Sequence, residues 1–185
     1  MFEFPRFEWL SIWVIVIPAA AAFALCVHVA DRRRALSLPS ARWGTRKWVI
    51  HYALPVAGLL ALSVFTPLRF GAGFICGVAF GVTGLAIALA AVLAAGKWRG
   101  SFVRVGVYKY TRNPMYDAAV FCFAGASMMA WSGAPVMGLL GLVLTARAAV
   151  SFHYLTITEE EALEKSYGDE FREYSRAVPR YFWWR

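Results

Sequence analysis

The chain reads as an all-α integral membrane protein of about five transmembrane helices, followed by a C-terminal amphipathic interfacial helix. Three observations carry this reading. Hydrophobic residues make up 60% of the 185 positions and charged residues 16%, with a mean hydropathy of +0.55, and a water-soluble domain of this size has no use for so much apolar surface. The apolar residues fall in runs of about 20, the length that crosses a hydrocarbon core of ~30 Å. Between the runs lie segments rich in Lys and Arg, the bias of cytoplasmic loops, so the net charge of +8 points to loops and not to a nucleic-acid surface.

Residues 1–10, MFEFPRFEWL, have acids and aromatics where a signal peptide has a basic start, and read as an interfacial lead-in. The first span is predicted over 9–30, with a kink at Pro18 and His28 near its end. The loop after it carries Arg32, Arg33, Arg34, Arg42, Arg46 and Lys47 against Asp31 alone, which places it in the cytoplasm. A second span over 48–67, with His51 and Pro55 near its start, returns outward to a short turn at Arg69. The third span, 71–95, has no charge, and Gly73, Gly77 and Gly81 recur every four residues. Small residues at that spacing let helix backbones approach closely, so this is the expected central packing helix, and an oligomer could form through it.

Lys97, Arg99, Arg104, Lys109 and Arg112 mark the next cytoplasmic segment. A fourth helix is predicted over 114–131, a turn at Ser132 and Gly133, and a fifth helix over 134–157, which puts the N-terminus outside and the C-terminus inside. Arg147 interrupts the apolar run of the fifth helix; either it faces protein or water, or it snorkels to headgroups. Over 158–178, Leu163, Tyr167, Phe171, Tyr174 and Val178 recur at helical spacing with charges between them, the pattern of a surface helix. Thr158 with Glu161 forms a capping box at its start. The ending VPRYFWWR is an aromatic and basic anchor. Residues 1–95 thus hold three helices and 96–185 the remainder, in one compact bundle. Cys26, Cys76 and Cys122 lie far apart in apolar runs and spell neither a disulfide framework nor a metal site.

The densest chemistry lies at GVYKYTRNPMY, from Gly106 to Tyr116. Asn113 before Pro114 is a helix start: the Asn side chain can accept from free N–H groups, and Pro fits the first turn. The positive end of that helix beside Arg112 suits a carboxylate or phosphate. RNPMY, then EE at Glu159 and Glu160, then YGDEFREY from Tyr167 and VPR ending at Arg180 together resemble the integral-membrane methyltransferase superfamily, which includes isoprenylcysteine carboxyl methyltransferases and phospholipid N-methyltransferases. NPMY is similar to the phospholipid branch and the C-terminal pattern to the isoprenylcysteine branch.

The resemblance implies S-adenosylmethionine-dependent methyl transfer at the cytoplasmic membrane face, to a lipid-like acceptor entering from the bilayer: a phospholipid amine or an isoprenylcysteine-type carboxylate. It implies a cofactor site formed by Gly106, Tyr108, Arg112, Asn113, Pro114, Tyr116, Glu159 and Glu160, with Arg112, Tyr116 and Glu160 closest to the chemistry. Arg147 and His153 are candidates for substrate contact, and no metal is required. The expected location is a multi-pass position in a bacterial inner membrane, or in the endoplasmic reticulum of a eukaryote. Two other readings compete: a non-catalytic helper or channel subunit, and a sterol-reductase-like enzyme using NADPH, whose relatives are much longer.

Overall fold

The computed structural model describes residues 11–34, 54–97 and 102–182. The lead-in at 1–10, the basic loop from residue 35 onward with the start of the second span through residue 53, Arg99 and the last three residues lie outside the described residues. Within them the chain is helical, without strands; residues 11 and 67 form one isolated bridge. The elements are α1 (Trp13–Arg34), α2 (Leu54–Phe65), α3 (Ala72–Lys97), α4 (Pro114–Gly133), α5 (Pro135–Tyr167) and α6 (Asp169–Ala177), with a 3₁₀ turn at Gly106–Lys109. Three of them, α1, α3 and α5, are long and apolar enough to cross a membrane. On α3, Ile75, Val82, Leu89 and Leu93 are exposed, a stripe that suits acyl chains and not water.

The packing follows from small residues. α3 lies against α4 along its length and also touches α1, while α4 packs on its other side against α5. A Cβ at Gly77 would fall 2.5 Å from the Gly125 carbonyl oxygen, and one at Gly125 would fall 2.6 Å from that of Gly77. The two backbones are therefore in direct contact, and side chains on either glycine would separate the helices. Gly73 meets Ser132 in the same way, and the Phe74 amide donates to Ser132 Oγ at 2.8 Å. The glycine face of α3 thus serves contacts within the chain.

Two expected starts and stops differ. The fifth helix does not end near residue 157; it runs unbroken to Tyr167. Thr158 is consequently no cap: its hydroxyl donates back to the Tyr154 carbonyl at 3.1 Å. Nothing in that stretch breaks a helix until Gly168, whose φ of +53° is a conformation that glycine adopts without strain. The amphipathic surface helix is only α6, shorter than the expected 158–178. At ~1.5 Å per residue α5 is about 50 Å long, well beyond a ~30 Å hydrocarbon core, so one end projects from the bilayer.

That projecting end is shared. Ala30 of α1, Ala91 and Ala94 of α3, Tyr108 of the 3₁₀ turn and Met115 of α4 form one buried cluster. The C-terminal ends of α1 and α3 and the N-terminal end of α4 therefore lie together, and α6 packs back on α5.

Candidate active site

The turn that leads into α4 is shaped by Gly106. Its φ is +61°, and a Cβ there would come within 3.0 Å of the Ala94 side chain. Glycine thus permits both the left-handed turn and the close approach to α3. Tyr108 follows, only 4% exposed, and its carbonyl accepts from the Tyr174 hydroxyl at 2.7 Å. The C-terminal strap after α6 then crosses this turn. The Arg112 amide donates to the Pro179 carbonyl at 3.0 Å, and the buried Thr111 hydroxyl lies 3.1 Å from the Arg180 carbonyl and 2.6 Å from Asp117 Oδ2.

Pro114 occupies the first turn of α4 as expected, but Asn113 makes no side-chain cap. Its amide nitrogen instead donates to Glu160 Oε1 at 3.1 Å and to the Arg180 carbonyl at 3.3 Å. The reason lies in the tertiary fold: a carboxylate and a carbonyl within reach make better use of two N–H groups than the helix end makes of one oxygen.

Glu160 is 8% exposed and gathers the charged groups. Arg180 donates to it as a fork, Nε at 3.1 Å and Nη2 at 2.8 Å to Oε2, and Arg112 Nε lies 3.5 Å from Oε1. Burial lowers the affinity of the Arg112 guanidinium for its proton, with Glu160 opposing that effect. The hydrogen bond to Glu160 raises that of Arg180. Two cations share one carboxylate, so this largely desolvated cluster carries a surplus positive charge. Arg112 Nε is also a buried donor without a hydrogen-bond acceptor among the described residues.

Glu159 serves a different space. Successive residues of a helix are turned by about 100°, so Glu159 points away from the arginines. Its Oε1 accepts from the Tyr116 hydroxyl at 2.6 Å, and Tyr116 stacks on Phe152 with ring centroids 5.4 Å apart. Tyr116, Phe152 and Glu159 line a cavity of about 1050 Å³ bordered by α1, α2, α4 and α5, with Gly81 of α3. Its walls are apolar, Val16, Phe23, Leu59, Phe123 and Leu155 among them, and its polar side chains are His28, Asn113, Tyr116 and Glu159. A Cβ at Gly81 would meet nothing within 4 Å, because that residue faces the same cavity. Asn113 joins the two regions, lining the cavity while bonding Glu160.

The structure therefore brings together Arg112, Asn113, Tyr116, Glu159 and Glu160 around the start of α4 at Pro114, with Gly106 and Tyr108 in the turn that leads into it. It sets Arg147 and His153 apart from them. Arg147 is exposed on α5 and donates to Ser151 Oγ at 2.7 Å, and His153 Nδ1 lies 3.3 Å from the Tyr181 hydroxyl; neither lines the cavity. Sequence reasoning did not single out Thr111 and Asp117, and it named Arg180 as the end of the VPR motif without giving it a place in the site. An acid in the first turn of an apolar helix could have flagged Asp117. The VPR motif does not reveal the partner of Arg180, which reaches Glu160 because the strap folds back. No group of His, Cys, Asp and Glu that could hold a metal ion occurs among the described residues.

The family model described as phospholipid methyltransferase matches residues 73–170, from the start of α3 into α6. It takes in the 3₁₀ turn, Asn113, Tyr116 and both glutamates, and leaves Arg180 outside. Comparison with curated proteins finds no match.

Proposed function

Since the chain belongs to the phospholipid methyltransferase family, we propose that it transfers a methyl group from S-adenosylmethionine to the amine of a lipid-like acceptor at the cytoplasmic face of a membrane. The observation that carries this is the junction at Asn113 between a positively charged, buried cluster and a long apolar cavity. The donor set fits the cofactor: the surplus charge of Arg112 and Arg180, with the unsatisfied Arg112 Nε, suits the methionyl carboxylate, and Tyr116 offers an aromatic face to a sulfonium. Bound there, the cofactor supplies an electrophilic methyl group. The protein's own contribution is to hold the acceptor nitrogen in line and keep water out, which needs no metal or covalent nucleophile.

The cavity favours an amine over a carboxylate acceptor. A second carboxylate ~4 Å from Glu159 would be repelled by about 4 kcal/mol at an effective dielectric constant of ~20, whereas an ammonium would be attracted by as much. Its volume lies just above the ~300–1,000 Å³ of ordinary ligand pockets, and its apolar walls suit acyl chains. The cytoplasmic assignment rests on charge: Arg32, Lys97, Arg104, Lys109 and Arg112 all belong to the end of the bundle where the site lies, as the positive-inside bias requires.

Calorimetry with S-adenosylhomocysteine on detergent-purified protein tests the reading, followed by transfer of labelled methyl groups to lipids. Micromolar binding, weakened about tenfold or more in Arg112→Lys because the planar fork is lost, is expected. Absence of binding in detergent and in lipid nanodiscs alike would overturn it.

A further inference from the structure

The cavity has a polar end, where it meets the charged cluster, and a closed end deep in the bundle. We infer that it is a blind slot that gauges the acyl chain of the acceptor, with Val16, Ala126 and Met129 as the floor that sets the longest chain it admits. This rests on the amine-lipid reading above and adds to it the length of the lipid.

The depth follows from the helices that line the slot. His28 and Tyr116 mark the polar end beside Asn113 and Glu159, and no other lining residue carries a charged group, an amide or a hydroxyl in its side chain. A phosphate or ammonium below that level would meet no partner, so the headgroup stays at the polar end and only hydrocarbon descends. Both Val16 on α1 and Met129 on α4 belong to the lining. From His28 back to Val16 the rise is ~18 Å, and from Tyr116 to Met129 it is ~20 Å, at ~1.5 Å per residue. An extended chain advances ~1.2 Å per bond, so the slot takes about 15 carbons. That depth slightly exceeds one leaflet, half of a ~30 Å hydrocarbon core.

The far end is shut by packing. Val16, Ala126 and Met129 form one buried cluster with Ile12, Phe74 and Ala130, so a descending chain meets filled core. Beyond it the Ile12 amide donates to the Thr66 carbonyl at 3.0 Å, which ties the start of α1 to the end of α2. Gly81 keeps the lower part of the slot clear: it lies against Gly125, the neighbour of Ala126, and a Cβ on it would meet nothing within 4 Å. Selection then comes from fit and not from hydrophobicity. A methylene that leaves lipid for apolar walls gains little, because lipid tails are as apolar as Leu. A short chain leaves part of the slot unfilled, and a long one must fold back or push packed side chains aside.

The test measures labelled methyl transfer to phosphatidylethanolamines in mixed micelles at saturating S-adenosylmethionine. Their two identical saturated chains run from about 8 to about 20 carbons, to either side of the ~15 that the depth allows. Expected in wild type is a kcat/KM that peaks at about 14–16 carbons and falls about tenfold for the longest chains, which overpack the floor. In Ala126→Leu the peak should move down by about two carbons, and in Met129→Ala up by about three, the reach of the atoms added or removed. S-adenosylhomocysteine affinity should stay within about threefold in both, since the floor lies ~18 Å from the polar end, and Val16→Ala serves as a second deepening change should Met129→Ala fail to fold. A wild-type profile that is flat across the series, or a peak that stays in place in the folded variants, would overturn the inference. Binding of S-adenosylhomocysteine without transfer at any chain length would overturn the amine-lipid reading, and absence of binding the methyltransferase reading, so each failure is told apart from that of the slot.

Discussion

Glu159 and Glu160 show how far one peptide unit can separate two surroundings. One step along α5 turns the side chain by about 100°, which is enough to exchange a bond to a tyrosine for one to an arginine fork. Arg180→Met tests the second arrangement. It leaves Glu160 with Arg112 and Asn113, and because a buried carboxylate losing a forked partner is left under-satisfied, stability should fall by about 2 kcal/mol, read as a lower Tm in detergent. Combining it with Glu160→Gln should cost less than the sum of the two single changes, since both remove the same interaction. Gly106→Ala tests the turn. An alanine at φ +61° costs ~1–2 kcal/mol, and its Cβ would press on Ala94, so the 3₁₀ turn should shift and S-adenosylhomocysteine affinity fall while the helices persist by circular dichroism. That a glycine opened this motif was visible in the sequence. That Asn113 would donate to a carboxylate instead of capping its helix was not, because the carboxylate lies 47 positions away.

At the level of elements, the glycines of α3 divide by what they face. Gly77 meets the backbone of α4, and Gly81 opens on the cavity. Gly77→Ala should therefore destabilise the protein by about 3 kcal/mol through overpacking against Gly125 and Met129, with a reduced Tm as the readout. Gly81→Leu should leave S-adenosylhomocysteine affinity unchanged and raise the KM for a long-chain lipid about tenfold, ~1.4 kcal/mol, because the side chain occupies cavity volume. Equal effects from the two changes would show that the cavity takes no acceptor chain. The four-residue spacing made α3 a packing helix on sight; its partner, α4, follows only from the fold. The unbroken run of α5 past Thr158 has a similar origin, for a capping box is a local preference of ~1 kcal/mol, outweighed where a helix can continue its hydrogen bonds to Gly168.

Across the whole molecule, the C-terminal strap closes on residues some 70 positions earlier, and the site is incomplete without it. Deleting residues 178–185 should leave the bundle helical and inserted, yet weaken S-adenosylhomocysteine binding more than tenfold, since the Pro179 and Arg180 carbonyls and the Arg180 side chain hold Arg112, Asn113 and Glu160. Wild-type affinity in the truncated chain would make the strap dispensable. The amino-acid sequence by itself determined the membrane class, most helix positions and the polar motif from Gly106 to Tyr116, because hydropathy, charge bias and the backbone demands of Gly and Pro are local properties that act over a few residues. The tertiary structure alone decided that Arg180 joins Arg112 on Glu160, that Glu159 turns to Tyr116, and that α1, α2, α4 and α5 leave a cavity between them. Those outcomes depend on side-chain directions and long-range contacts, which are set only when the helices pack and a buried charge must find its partner.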